Sequence, residues 1–297
     1  MEIRHLRAFL TVAKLMSFNK AADRLNYAQS SISAQIQTLE GELGVRLFDR
    51  LGRRIMLTDA GERLVPYATR IVDLAEETHG EIGGSNQPEG SLAIRIPETL
   101  GVYRLPPVIT EFSSRFPRVR LNFTTCAHES LQKDLRQGIT NLAFLLAESI
   151  HSADMDVEAL GFEPVVLVAS PEHRLGKERL VRTVDLRGEK ILLTRVDCSY
   201  RRLFEGILEE GGIPIDSTVI FHSVETLKRC VMAGMGITVL PLISATDDIR
   251  RGRLKRLAWR EGEFEVAVLM IWYRERWLSP SLTAFMDIAR RHLAGRA

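Results

Sequence analysis

Apolar residues recur through the first fifty positions at helical spacing. Leu6, Phe9, Leu10 and Ala13 follow the i, i+3, i+4, i+7 rule of a helix with one buried face, and Ser17-Phe18-Asn19 then supplies a turn with an N-cap. A short second helix turns Ala21, Ala22 and Leu25 inward, where alanines let two helix backbones approach closely; Asn26-Tyr27 breaks it. Ile32, Ile36, Leu39 and Leu43 give a third helix one apolar face and leave Gln29, Ser30, Ser31, Ser33, Gln35 and Gln37 on the others. After a short β-like run, Ile55-Met56-Leu57, the spacing predicts one long helix from Thr58 or Asp59 to about Ile82. Asp59 and Glu62 suit its N-terminal dipole, and Leu64, Tyr67, Ala68, Ile71, Leu74 and Ala75 form its stripe. Pro66, within the first turns, is expected to kink or loosen it. With no core to face, such a stripe is most economically buried against a second copy, which predicts a homodimer.

The linker Gly83-Gly84-Ser85-Asn86-Gln87-Pro88-Glu89-Gly90 marks the clearest boundary. Beyond it short apolar strands alternate with helices: SLAIRI, RLNFTT, NLAFLL, PVVLVAS, KILLTRV, STVIFH, GITVLP and EVAVLMIWY. This alternation predicts α/β lobes with mostly parallel sheets, which bind ligands at the C-terminal ends of their strands.

Length and composition narrow the class. A chain of 297 residues should hold about two domains, or three lobes if one is small. With 45% hydrophobic and 26% charged residues, disorder and collagen are excluded. Cys126, Cys198 and Cys230 are odd in number and lack a C-x-x-C pair, which fits reduced thiols rather than a disulfide framework or zinc site; no cofactor is implied. The longest uncharged stretch, Cys230 to Thr246, is interrupted by Gly234, Gly236 and Pro241 and falls short of the roughly 20 apolar residues a bilayer needs. Glu2, Arg4, His5 and Arg7 break any signal peptide, so the expected compartment is the cytoplasm.

The net charge of +2 conceals a split. Residues 1–58 carry nine basic and five acidic side chains, whereas residues 59–87 carry two basic and six acidic ones. A basic head is followed by an acidic stem, and the remaining residues are nearly neutral.

In the head, a helix that enters the major groove presents its N-terminal residues to base edges, where Gln pairs with adenine and Ser reaches bases or phosphates. A polar start is also what any solvated helix shows. The order of elements and the following Arg50, Gly52, Arg53 and Arg54 favour a winged helix-turn-helix, with arginines for phosphates or the minor groove. The pieces SFNKAADRL, AQSSISAQIQTLE, LGVRLFDR and LTDAG cover the head without a gap, and here the sequence resembles the N-terminal domain of LysR-type transcriptional regulators. That resemblance implies that Gln29, Ser30, Ser31 and Ser33 face the groove and that Arg50 and Arg53 or Arg54 serve backbone and wing. It implies promoter DNA as partner, a linker-helix dimer and a tetramer. Ala34 stands where many members carry Arg, so the contact made there by relatives is absent.

Residues 88–297 resemble the effector-binding domain of the same family, two lobes like those of periplasmic solute-binding proteins. The expected architecture is therefore α/β and multidomain: residues 1–58 as the head, 59–87 as linker helix and hinge, and 88–297 as effector domain. One lobe takes about 91–161 and 266–297, the other about 162–265. At strand-to-helix turns stand Thr99, Thr125, His128, Thr194, Cys198, Ser199, His222 and Ser223, suited to a small carboxylate-bearing or otherwise polar effector. Thr99, Ser199 and Ser223 are equally ordinary N-caps. Two alternatives stay open: a redox sensor using Cys198 and Cys230, and a cysteine enzyme with Cys198 as nucleophile and His222 as base, for which no orienting third residue is found. Gly234-Met235-Gly236 follows a helix and precedes a strand, the reverse of a dinucleotide fingerprint, and reads as a helix C-cap. The run Arg250, Arg251, Arg253, Lys255, Arg256 reads as a solvated loop.

Overall fold

The computed structural model describes residues 1–51, 54–82, 88–125, 130–147, 152–194, 199–214, 219–262 and 264–294. Its N-terminal part opens with three helices, α1 (Ile3–Leu15), α2 (Phe18–Leu25) and α3 (Gln29–Leu43). The Ser17 hydroxyl accepts from the Lys20 amide at 3.3 Å and so starts α2. Asn26 ends it in the left-handed region (φ 56°), a conformation that its short amide tolerates. Leu6, Phe9, Val12, Ile32 and Leu39 are essentially excluded from solvent, and Phe9 and Phe18 pack their rings on Phe48 at 5.5 and 5.8 Å. Leu43, expected on the buried face of α3, is 40% exposed because it lies in the last turn, beyond the core.

Phe48 belongs to the wing. Strands β1 (Phe48–Leu51) and β2 (Arg54–Leu57) pair antiparallel, from Phe48 opposite Leu57 to Leu51 opposite Arg54. The Glu40 carboxylate accepts from the Leu47 amide (2.7 Å) and the Phe48 amide (3.3 Å), which ties α3 to the start of the wing. Thr58 closes the other end: its hydroxyl donates to the Arg46 carbonyl (2.7 Å) and accepts from the Gly61 amide (3.0 Å), capping α4 (Asp59–Ile82).

Helix α4 runs unbroken through Pro66. It does have a core to face, contrary to the sequence expectation: Ala68 and Val72 are buried in the head's own cluster, with Leu64 and Val65 packed beside them. Tyr67, Ile71 and Leu74 stay 45, 37 and 59% exposed. The apolar stripe is two faces, and periodicity alone does not tell which one a neighbouring helix covers.

The second unit is built on a seven-stranded sheet ordered β10-β6-β11-β5-β3-β4, with β9 also paired to β6. In chain order its elements are β3 (Gly90–Ile96), α5 (Glu98–Tyr103), α6 (Pro106–Arg115), β4 (Val119–Thr125), α7 (Leu131–Arg136), β5 (Leu142–Ala147) and β6 (Met155–Ala169). There follow β7 (Leu193–Thr194), α8 (Ser199–Glu210), β8 (Ile220–Phe221), α9 (Val224–Met232), β9 (Thr238–Pro241) and α10 (Leu242–Arg250). The chain ends with β10 (Lys255–Arg256), β11 (Phe264–Tyr273) and α11 (Pro280–Leu293). The expectation of mostly parallel strands needs correction. β3 and β5 are parallel, as is the separate β7–β8 pair, but β11 runs antiparallel to both β5 and β6, and β6 antiparallel to β9 and β10. The cause is β6, a strand of 15 residues that extends the expected PVVLVAS backwards to Met155 and meets β11 along its length.

Separate apolar clusters mark the two lobes. One gathers Leu131, Leu135, Leu145 and Ile271, and the other Val166, Val168, Leu227, Val231 and Leu240. The C-terminal end of α9 is followed by Gly234 at φ 81°, the expected glycine, and at Gly236 a side chain is impossible, since a Cβ would lie 2.0 Å from the Lys190 carbonyl oxygen.

Gly61 carries the same constraint in the head, because a Cβ there would meet the Leu47 carbonyl oxygen at 2.2 Å. Gly61→Ala is expected to lower the stability of the full chain's N-terminal transition by about 1–3 kcal/mol in urea denaturation. Gly41→Ala, in α3 with open space around the new methyl, is expected to raise it by about 0.5–1 kcal/mol. Equal effects of the two substitutions would contradict the close approach.

Candidate DNA-reading and effector sites

Burial of Ile32, Ile36 and Leu39 decides which face of α3 points outward. Ala28 offers no side-chain cap. Gln29 and Ser30 are exposed, Ser31 and Ser33 half-exposed, and the Gln29 amide donates to the Ser33 hydroxyl one turn on at 2.8 Å. Gln29 thus keeps its carbonyl oxygen and second amide hydrogen for a base edge, the pair of groups that matches adenine. Arg50 lies in β1 opposite Ile55, and Arg54 in β2 opposite Leu51. Arg53, and the side chains of Arg50 and Arg54, lie outside the described residues. Glu40 and Gly61, which set the wing against α3, escaped sequence reasoning; the signal for Gly61 was its place three residues after the N-cap Thr58, where a helix otherwise prefers a longer side chain.

In the second unit, Thr194 ends β7 in register with Phe221 of the parallel β8, and His222 and Ser223 follow directly. The fold thereby brings Thr194, His222 and Ser223 to the C-terminal end of one strand pair. Thr194 is buried, and its hydroxyl oxygen has no hydrogen-bond partner among the described residues, while its carbonyl accepts from the Arg201 guanidinium. His222 is exposed. Ser223 caps α9, accepting from the Thr226 amide at 3.3 Å. Thr99 lies next to Glu98, whose carboxylate accepts from the Ser223 hydroxyl (2.9 Å) and the Val224 amide (2.8 Å), but Thr99 itself is buried, with only 2% of its surface exposed. Thr125 stands exposed at the end of β4, on the edge of the sheet. His128 and Cys198 lie outside the described residues, as does the side chain of Ser199 at the start of α8. Cys230 packs half-buried against the apolar cluster of α9 and β6, a small hydrophobe in its surroundings.

The sequence reading also missed Lys228, although Val224, Leu227 and Val231 make position 228 an inward one at i+4. Lys228 is buried, and its ammonium donates to the Tyr103 hydroxyl (2.8 Å) and the Ser244 carbonyl (2.9 Å) and pairs with Glu225 and Asp248 (2.9 Å each). Burial opposes its charge, but its hydrogen bonds to Tyr103, Glu225 and Asp248 prevail and raise its pKa above the ordinary lysine value. Burial, then the hydrogen bond to Glu225, pushes the Tyr103 hydroxyl up. For Asp248, burial works against ionisation, yet Lys228 and Arg253 hold its carboxyl below the usual range.

A three-helix head with a wing, a long helix rooted in it and a two-lobed α/β unit define a regulator with one part for DNA and one for a small ligand. The family comparisons agree. The profile of the bacterial regulatory helix-turn-helix protein, lysR family, matches residues 3–62, and that of the LysR substrate binding domain matches residues 85–294. The chain belongs to the LysR family of transcriptional regulators, whose members bind promoter DNA and small-molecule effectors and form oligomers. Among relatives, the HTH-type transcriptional regulator YwqM of Bacillus subtilis strain 168 is 39% identical over 292 residues, covering 98% of this chain and 99% of that protein. The regulator GltR of the same organism is 32% identical, covering 98% of this chain and 97% of its own. Of solved structures, HinK from Pseudomonas aeruginosa matches with a TM-score of 0.59 at 25% identity, over 99% of both chains. Full-length CbnR complexed with its target DNA matches with 0.73 at 24%, over 98% of this chain and 100% of that one, and shows the fold. These findings favour the effector-responsive reading over the redox pair. No described helix is long and apolar enough to cross a membrane.

Lys228→Met leaves buried Asp248 with Arg253 as its one remaining cation and the Ser244 carbonyl without its donor, and is expected to cost about 2–4 kcal/mol in denaturation of the full chain. Because the folded pKa is raised, the ammonium's contribution is complete below the ordinary value of 10.5 and is lost only as pH climbs through the folded one. Between pH 6 and pH 9 the gap between the two proteins should therefore stay constant; a gap that closes in that window contradicts the assignment.

Proposed function

We propose that this regulator reads its operator through the first turn of α3, with Gln29, Ser30, Ser31 and Ser33 at base edges and neighbouring phosphates. Arg50, Arg53 and Arg54 act on the backbone and in the minor groove from the wing. The observation that carries this reading is the division of α3: Ile32, Ile36 and Leu39 lie in the core while Gln29 and Ser30 stay in water, with Gln29 braced by Ser33. The excess of basic side chains over residues 1–58 supports it.

The exposed Tyr67, Ile71 and Leu74 follow i, i+4, i+7 on α4 and pair with the same stripe of a second copy, which places two recognition helices on successive turns of one DNA face. Dimers then associate into a tetramer through their effector domains. Residues 1–58, 59–87 and 88–297 are the three working parts. The effector, a small polar molecule, binds where Thr194, His222 and Ser223 converge, with Thr99, Thr125, His128, Cys198 and Ser199 as the further residues proposed to contact it. It acts by differential affinity for alternative arrangements of the lobes, and so shifts the geometry of the paired heads. The chain works in the cytoplasm and performs no catalysis.

Selection from a random duplex library at low salt should enrich a two-half-site sequence; no enrichment would sink the reading. On that sequence Gln29→Ala should cost about 1–3 kcal/mol and relax preference at one base pair per half-site. The double substitution Arg53→Ala, Arg54→Ala should weaken all sequences alike and reduce the salt slope by about 2 per head. Ile71→Glu with Leu74→Glu should yield a monomer of unchanged helicity in sedimentation. A dimer that survives both charges pairs through another surface.

A further inference from the structure

Helix α5 ties the two lobes of the effector domain together at both of its ends. At its start the Glu98 carboxylate uses one oxygen to accept from the Ser223 hydroxyl (2.9 Å) and the other to accept from the Val224 amide (2.8 Å), both at the first turn of α9. At its end the Tyr103 hydroxyl donates to Glu225 and accepts from Lys228, again on α9. The next residue, Arg104, pairs at 2.8 Å with Glu163, whose other oxygen accepts from the Ile243 amide at the start of α10. Glu163 is 2% exposed, so the carboxylate of that link is withdrawn from water while Arg104 keeps part of its surface.

The α9 terminus is the place where a fold of this kind offers amides and a hydroxyl to a ligand's negative charge. Here a carboxylate of the chain itself is already seated there. Beside it lies the buried Thr194 hydroxyl, which has no partner among the described residues, so polar capacity remains at the same strand ends after Glu98 has taken the helix. The charges at the seam do not invite a second anion. Arg104 is matched by Glu163, and Lys228 and Arg253 together by Glu225 and Asp248, which leaves Glu98 as the surplus negative charge.

We propose that Glu98 is a tethered anion that occupies the α9 terminus across the lobe boundary and sets the charge selectivity of the effector cleft, so that carboxylate-anchored ligands are shut out and neutral or cationic ones are accepted. The proposal rests on the reading of residues 88–297 as an effector domain, and it revises the anionic effector expected from the sequence. Glu98 acts twice over: as clasp between α5 and α9, and as the group an incoming carboxylate would have to displace.

The test uses the full chain, with amide hydrogen exchange at Val224 and thermal shift as readouts and succinate as the probe anion against sodium chloride at matched ionic strength. In the wild type, Val224 should be protected and succinate should change neither readout. In Glu98→Gln, which is isosteric but uncharged, exchange at Val224 should be about tenfold faster. Succinate should then restore protection and raise the melting temperature. If Glu98→Gln does not fold, Glu98→Asp, which keeps the charge but is one methylene shorter, should speed exchange at Val224 while still excluding succinate. Val224 exchange that is unaltered in the variant overturns the proposal, and so does succinate protecting the wild type as well as the variant. Neither measurement involves DNA, so failure here is distinct from failure of the operator reading.

Discussion

The pairing of β6 with β11 is the constraint from which the effector domain follows. Every residue of β11 from Phe264 to Tyr273 has a partner on β6, with one irregularity between Val268 and Leu269 where Leu160 is passed over. β6 supplies Met155 to one apolar cluster and Val166 and Val168 to the other, so both lobes hang on this strand and neither can rotate as a free body without disturbing its ladder. The crossing strand also holds the most deeply buried carboxylate among the described residues. Glu163 is tolerated because each oxygen has a partner, one from Arg104 and one from the α10 terminus. The connection between lobes is therefore both a sheet and an ion pair, and motion is left to the contacts that surround it.

The sequence announced the head more fully than the effector domain, for physical reasons. Head helices are amphipathic over complete turns, so spacing places Leu6, Phe9, Ile32 and Ile36 without ambiguity. In the second domain β5 and β9 are buried throughout, and such apolar runs reveal that a strand exists but not its direction or neighbours. The residues 155–163, with Glu158 and Glu163 among them, broke the apolar pattern that would have marked the first half of β6. Of the strands expected at KILLTRV and STVIFH, the described residues form two residues of strand each, and Ile191 makes an isolated bridge to Ile237.

Site legibility divides in the same way. The polar start of α3 was readable because its positions in the turn are fixed by the buried residues between them. Glu98 and Lys228 were not, since each takes its meaning from a partner more than a hundred residues away: Ser223 for Glu98 and Tyr103 for Lys228. Ser223 was readable as an N-cap, and it is one; what the sequence withheld was the second group sharing that cap. Glu40 is intermediate. It looks like a surface glutamate of a helix, yet its acceptance of two amides just past the end of α3 fixes where the wing leaves the helix.

The rooting of α4 in the head has a mechanical consequence. With Ala68 and Val72 locked into the same core as Phe9 and Leu39, the first half of α4 and the recognition helix move as one solid piece, and the helix becomes a lever. Its 24 residues reach about 36 Å at 1.5 Å per residue. Tilting a lever of that length by about 10° sweeps its end through about 6 Å, a sizeable fraction of the roughly 34 Å between successive major grooves on one DNA face. A small angular change at the stem is enough to bring a pair of heads into or out of step with the helical repeat of their operator.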